Sequence, residues 1–189
     1  MEIGRRYGFT VVPTPLEIVA AREKSDPLKY LHGSFTRSDG AAVTVDLLIY
    51  RDGIVADTRS STSDSDAFIS DMLTWGSEEL GLFPHEGIVK TKRYLSNLWI
   101  SCDSSLQLIN PKIAGVAKSL SKKAYGTDNL FELASLGFWP NPERQAQTAN
   151  FMLERSAKDP FSVNRYFSSA PLETEAHLAI LDELEKALA

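Results

Sequence analysis

Residues 29–59 read "KYLHGSFTRSDGAAVTVDLLIYRDGIVADTR", and this stretch decides the fold. Two Asp-Gly pairs, Asp39-Gly40 and Asp52-Gly53, separate runs that are rich in β-branched and aromatic residues. An Asp-Gly pair between such runs is the strongest short signal of a β-hairpin. The stretch therefore predicts three antiparallel strands joined by two tight turns.

The turns also predict which side chains share a face of this sheet. If each turn is a two-residue type I′ turn, Phe35 faces Thr44 and Asp46 faces Arg59. The face that helices are expected to cover carries Val43, Val45, Leu47 and Ile49. The opposite face mixes apolar and charged side chains, namely Leu31, Phe35, Asp46, Leu48, Tyr50, Val55, Asp57 and Arg59.

This mixed face has three interpretations. In the first, Asp46 and Arg59 form a cross-strand ion pair that contributes about 0.2–1 kcal/mol to stability. In the second, the face is a concave binding surface on which Asp46, Asp57, Arg59 and Tyr50 orient a ligand or a partner. In the third, Asp46 and Asp57 are the paired carboxylates of a hydrolase, with Arg59 beside them.

Capping residues predict four helices along the chain. Their expected ranges are 15–24, 63–80, 111–124 and 174–188. In the third helix, the spacing of the apolar residues predicts an inward face made of Ile113, Val116, Ala117, Leu120 and Ala124. In the fourth helix, Leu178, Leu181, Leu184 and Leu188 follow one side, and His177 is expected to be neutral and partly exposed.

The second half of the chain repeats the order of elements in the first half. Further strands are predicted in "GIVKTKRYLSNLWIS", "NLFELASLGFW", "ANFMLERS" and "SVNRYFSS". The fold class is therefore α+β, with antiparallel sheets and helices packed on one face. Residues 1–189 are expected to form a single globular domain. Residues 1–86 and 87–189 form either two copies of a β-α-β-β-β-α unit or two halves that share this order by chance.

Composition limits the classes of function. The net charge of −5 and the isoelectric point near 5.3 argue against general nucleic-acid binding. The chain has no apolar run long enough to predict a membrane span, and its single cysteine, Cys102, fits a reducing cytoplasmic compartment. No cofactor motif is present, and the three histidines are too scattered to predict a metal site.

Several other residues are candidates for binding. Ser60 and Ser61, and a second serine pair at 168–169, precede predicted helices near Arg59 and Arg165. Hydroxyls and free amides at a helix start are suited to an anion. Trp139 precedes a proline-rich turn, where an exposed indole is suited to anchoring an interface. The basic clusters at 90–93 and 118–123 are interpreted either as solvated, edge-protecting lysines or as a patch for a phosphate or an acidic partner.

These features support three hypotheses of function. The first is a non-enzymatic binding protein of the chaperone, immunity or adaptor type, which contacts a protein partner and forms a homodimer through a sheet edge or the last helix. The second is a sensor that binds a nucleotide or another anion at helix N-termini. The third is the hydrolase that uses Asp46, Asp57 and Arg59.

Overall fold

The computed structural model describes residues 2–21, 26–81, 89–144 and 149–188. The chain divides into two compact units, Met1–Lys92 and Arg93–Ala189. Helices accompany an antiparallel sheet in each unit, so the predicted α+β class is confirmed. Within the described ranges, none of the helices has the length and apolar character that a bilayer crossing requires.

The first unit is built on a three-stranded antiparallel sheet in the order β1-β2-β3. Its elements in chain order are α1 (Glu2–Arg6), α2 (Pro15–Ala20), β1 (Leu28–Thr36), β2 (Ala42–Ile49), β3 (Ile54–Thr58) and α3 (Thr62–Leu80). A single bridge between Val11 and Leu31 adds the N-terminal segment beside β1.

The second unit is built on a four-stranded antiparallel sheet in the order β4-β7-β6-β5. Its strands are β4 (Ser96–Ser101), β5 (Ser135–Phe138), β6 (Phe151–Arg155) and β7 (Arg165–Ala170). Its helices are α4 (Pro111–Tyr125) and α5 (Thr174–Leu188), with short 3₁₀ helices at Leu106–Ile109, Pro142–Arg144 and Phe161–Val163.

The first hairpin has the predicted Asp-Gly pair but a longer loop. Only Gly40 has a positive φ, at 86°, whereas a type I′ turn needs a positive φ at both central residues. The loop therefore contains one more residue, and Phe35 pairs with Val43 instead of the predicted Thr44. This shift by one residue turns Phe35 towards the core, so its predicted place on the mixed face is wrong.

The second hairpin also departs from the predicted register. Neither Asp52 nor Gly53 has a positive φ, so a type I′ turn does not form. The last pair of the ladder is Ile49 with Ile54, two residues from the predicted register. A shift by two leaves each side chain on its predicted face but changes its partner, and Asp46 faces Asp57.

Aromatic rings fill the core of the first unit. Phe68 is fully buried, and its ring centroid lies 4.9 Å from that of Tyr7 and 6.5 Å from that of Phe9. Gly33 lies directly under Phe9, because a Cβ atom added at Gly33 would be 2.5 Å from the Phe9 ring. This close approach explains why strand β1 carries a glycine at that position.

Replacing Gly33 with alanine is expected to destabilise the chain by about 1–3 kcal/mol, because the new methyl group must displace the packed ring of Phe9. Urea denaturation followed by circular dichroism measures the change. Gly53→Ala is the matched control, since no atom lies within 4 Å of its added Cβ atom. An equal effect of both variants would show that the Phe9 contact is not the cause.

Helix α4 is rotated relative to the prediction. Ala117 and Ser121 are its buried residues, whereas the predicted inward residues Ile113, Val116 and Leu120 are exposed. The Ser121 hydroxyl accepts the backbone N–H groups of residues 130 and 131, both at 3.0 Å. These bonds hold Ser121 inward and leave the larger apolar side chains outside.

The two units share an order of elements but differ in sheet topology. In the first unit, the N-terminal segment lies beside β1, the first strand of the three-strand run. In the second unit, β4 lies beside β7, the last strand of the run. The predicted duplication of a β-α-β-β-β-α unit stays a prediction, and it would require the leading strand to have changed sides.

Candidate functional site

Asp46 and Asp57 lie opposite each other on neighbouring strands of the first unit. A β-bulge opposite Asp46 leaves His32 in the left-handed region, with a φ of 58°. The carboxylate of Asp46 accepts the backbone N–H of His32 at 2.6 Å and so satisfies an amide that the bulge removes from the ladder. Asp46 therefore has a structural role in the sheet.

Arg59, Ser60 and Ser61 lie beyond the end of β3, which finishes at Thr58. Arg59 and Ser60 are exposed, so the predicted pairing of Arg59 with Asp46 is wrong. Ser61 is the N-cap of α3, and its hydroxyl accepts the backbone N–H of Asp64 at 3.2 Å. These three residues form the connection between the strand and the helix.

The start of α3 already holds a carboxylate of the chain. Asp64 is buried in the first turn, and Arg37 lies 3.4 Å from its Oδ1 atom. The hydroxyl of Ser60 and the positive charge of Arg37 hold the pKa of Asp64 below its ordinary value. A free anion would have to compete with this carboxylate, which weakens the hypothesis of an anion sensor at α3.

The second serine pair does not begin a helix, so that prediction is wrong. Ser168 and Ser169 lie inside β7, and α5 begins later, at Thr174. Ser168 is fully buried, and its hydroxyl lies 2.8 Å from Nε2 of His177. Its position therefore serves the core of the second unit and not a ligand.

His177 is 0% exposed, in contrast to the predicted partial exposure. The Ser168 hydroxyl donates to the carbonyl of Met152, so it can only accept from Nε2–H of His177. Nδ1 then accepts from the Ser96 hydroxyl at 2.6 Å. Both nitrogens of a neutral imidazole are thus satisfied, and burial lowers the pKa of His177.

The first unit has two clefts beside α2 and β1. Tyr50 lines one, of about 350 Å³, together with Ile18 and Leu28. The other, of about 440 Å³, lies between α2 and β1. The hydrolase hypothesis needs a concave pocket lined by Asp46, Asp57 and Arg59. None of these three residues lines either cleft.

The outer face of the second sheet carries large apolar side chains that remain exposed. We call this surface the aromatic face and define it by Trp99, Trp139, Met152 and Phe167, with Arg165 at its margin. Trp99 pairs with Phe167 across β4 and β7, and their ring centroids are 5.4 Å apart. Trp99 is 61% exposed and Met152 is 44% exposed.

Trp139 extends the aromatic face to the opposite edge of the sheet. Gly137 pairs with Met152, so its missing side chain would point to this face. The indole Nε1 atom of Trp139 lies 3.9 Å from the position of that missing Cβ atom. Trp139 is 80% exposed, as expected for an interface anchor.

Arg165 lies beside Trp99 at the margin of the aromatic face. Its guanidinium carbon is 5.6 Å from the centroid of the Trp99 ring, within range of a cation–π interaction. Its Nε atom is 4.0 Å from Oδ2 of Asp159. Of the predicted site residues, the structure thus places Arg165 and Trp139 on one sheet face.

Alternate residues of the same strands form the core of the second unit. The neighbours of the exposed residues along β6 and β7, including Leu153 and Tyr166, are buried. The outer face therefore combines the apolar side chains of Trp99, Met152 and Phe167 with polar neighbours such as Glu154 and Ser169, whereas α5 packs against the inner face. Because an exposed face of an antiparallel sheet is ordinarily polar, the aromatic face is the candidate binding surface.

Comparison of the chain with protein-family models, with curated proteins and with solved structures gave no match. Function is therefore inferred from the chemistry of the two units themselves.

Proposed function

We propose that the chain is a non-enzymatic binding protein of the chaperone, immunity or adaptor type, which contacts a protein partner through the aromatic face. The observation that supports this proposal is the exposure of Trp99, Met152 and Trp139 on one side of one sheet. Large exposed apolar patches mark protein contact sites, and tryptophan and arginine often dominate their binding energy.

The charges around the aromatic face favour a protein over a nucleic acid. Platforms for single-stranded nucleic acid combine stacked aromatic rings with a positively charged groove. Here Arg165 is close to Asp159, and Glu154 pairs directly with Phe167 on the same face. Positive charge is therefore offset locally, as it is in the whole chain with its net charge of −5.

The test begins with a photoreactive amino acid at Met152, in the middle of the aromatic face, and at exposed Lys158 as a control. The Met152 position is expected to capture a partner that the Lys158 position does not capture. With that partner purified, Trp99→Ala is expected to weaken binding by about 30-fold, the loss typical of an interface anchor.

Val55→Ala is the matched control, because Val55 is an exposed apolar residue on the mixed face of the first unit. It is expected to leave the affinity unchanged. A partner whose affinity falls with Val55→Ala and not with Trp99→Ala would move the binding surface to the first unit and overturn the proposal.

A further inference from the structure

Helix α4 presents an apolar stripe that the second unit does not bury. Ile113, Val116 and Leu120 follow one another at helical spacing, and Val116 and Leu120 are 68% and 49% exposed. Leu108, in the adjoining 3₁₀ helix, is exposed as well. The bonds of Ser121 fix the rotation of α4, so the stripe cannot turn inward without breaking them.

The charge of α4 is of one sign. The helix contains Lys112, Lys118, Lys122 and Lys123 and no acidic residue, although the chain as a whole is acidic. Lys112 and Lys123 lie next to the apolar stripe on the helical wheel. An occupant of this surface therefore needs an apolar strip with acidic residues beside it.

Helix α5 of the same unit offers this complementary surface. His177 and Leu181 face the core, so the opposite side of α5 faces outward. That outward side includes the exposed residues Glu175, Leu178, Asp182 and Glu183 and one lysine, Lys186, so its charge is acidic overall. Its acidic residues and its single leucine match the lysines and the apolar stripe of α4.

The two helices also border one structural element. Both α4 and α5 contact the 3₁₀ helix Leu106–Ile109, which directly precedes α4 in the chain. In a twofold dimer, each contact is formed twice: if α4 of one copy contacts α5 of its partner, then α5 of the first copy contacts α4 of the partner. A twofold dimer that pairs α4 with the α5 of its partner would therefore form this contact twice.

We propose that a second copy of this chain docks on α4, with its α5 against the apolar stripe and with the reciprocal contact formed by the twofold symmetry. Contact of α4 with another α4 would oppose lysines to lysines. An anionic lipid surface attracts α4 but repels the acidic face of α5. Charge complementarity therefore selects the α4–α5 contact.

Sedimentation-velocity ultracentrifugation of the full chain tests this proposal from about 1 μM to about 500 μM. The wild-type chain is expected to change from monomer to dimer over this range, and the dimer is expected to weaken with added salt. Two variants, Lys112→Glu with Lys123→Glu and Glu175→Lys with Asp182→Lys, are each expected to stay monomeric. Their equimolar mixture is expected to dimerise, because opposite charges then meet in both contacts.

The proposal would be overturned if the wild-type chain stayed monomeric over the whole concentration range. It would also be overturned if the mixture failed to dimerise while each variant kept its circular-dichroism spectrum. A third contrary result is a dimer that is lost in Trp99→Ala but kept in both charge variants. The last result would assign dimerisation to the aromatic face. Binding of the monomer to phosphatidylserine vesicles, lost on reversal of Lys112 and Lys123, would replace the second copy with a lipid surface. Partner binding through Trp99 is measured separately, so either proposal can fail alone.

Discussion

Replacing Glu132 with alanine is expected to lower the free energy of unfolding of the second unit by about 3 kcal/mol. The reason is Arg155, whose guanidinium is almost completely buried and whose Nη2 atom donates to the Glu132 carboxylate at 2.7 Å. Removal of the carboxylate leaves a buried cation without its counter-charge. The expected loss lies at the lower end for buried pairs, because the Glu132 side chain is 23% exposed.

The other contacts of Arg155 cannot replace Glu132. They are neutral acceptors, the hydroxyls of Tyr166 at 2.8 Å and of Ser105 at 3.1 Å and the carbonyl of Phe161 at 3.0 Å. The Nε atom of Arg155 is buried and has no partner among the described residues. Hydrogen bonds from the guanidinium to neutral acceptors bring no counter-charge, so they leave much of the desolvation cost of the buried cation uncompensated.

Urea denaturation at neutral pH measures this effect. Glu154→Ala is the matched control, since Glu154 lies on the exposed side of β6, the strand that carries Arg155. This replacement is expected to change the free energy of unfolding by less than about 0.5 kcal/mol. Arg155→Met combined with Glu132→Leu is expected to recover most of the loss, because both charges are removed. A loss from Glu132→Ala no larger than the control would contradict a stabilising role for the pair.

Acidification from about pH 7.5 to about pH 5 is expected to destabilise the second unit through His177. Burial lowers the pKa of His177 below its ordinary value of 6.5. Below pH 6.5 the unfolded chain therefore binds a proton at this residue that the folded chain does not bind. Stability is then greatest above this pH and falls towards acid, by at most about 1.4 kcal/mol per pH unit, until the folded pKa is reached.

Thermal unfolding across this pH range measures the effect. His177→Gln is expected to be less stable at pH 7.5 but to have a shallower dependence on pH, because the titrating group is gone. His32→Gln is the control, because the side chain of His32 is 56% exposed. An unchanged pH dependence in His177→Gln would show that other groups cause the acid sensitivity.

The ends of α4 could be predicted because caps are local, whereas α2 ends at Ala20 and not at the predicted residue 24. Asn110 caps α4, Pro111 opens it, and Gly126 ends it with a φ of 72°, as the sequence indicates. Hairpin register could not be predicted in the same way. The register depends on whether both residues of each Asp-Gly pair adopt a positive φ. Of these four residues, only Gly40 has a positive φ.

The aromatic face left a signal in the sequence that the predictions did not use. Strands β4 and β6 carry apolar residues at consecutive positions, as in Leu98-Trp99-Ile100 and Phe151-Met152-Leu153. In an antiparallel sheet with helices on one side, one residue set of each strand must face away from them. The pairing of β4 and β6 with β7 decides which of the two sets of side chains is exposed. The β4–β7 pairing joins residues that are far apart in the sequence, so the sequence alone does not predict it.

The burial of His177 shows the same limit. The buried positions 177, 181 and 188 of α5 follow helical spacing, so the sequence carried a signal that His177 faces inward. Its partners Ser96 and Ser168 come from β4 and β7, and they are 81 and 9 residues away from it along the chain. A network assembled from distant strands cannot be read from spacing within one helix.

The position of β4 beside β7 has a consequence for the order of folding. The pairs from Ser96–Ala170 to Ser101–Arg165 join the first and last strands of the second unit. Most strand pairs of the first unit, in contrast, join neighbours connected by short loops. Because distant pairing slows folding, the first unit is expected to acquire structure during synthesis, while the second waits until β7 has left the ribosome.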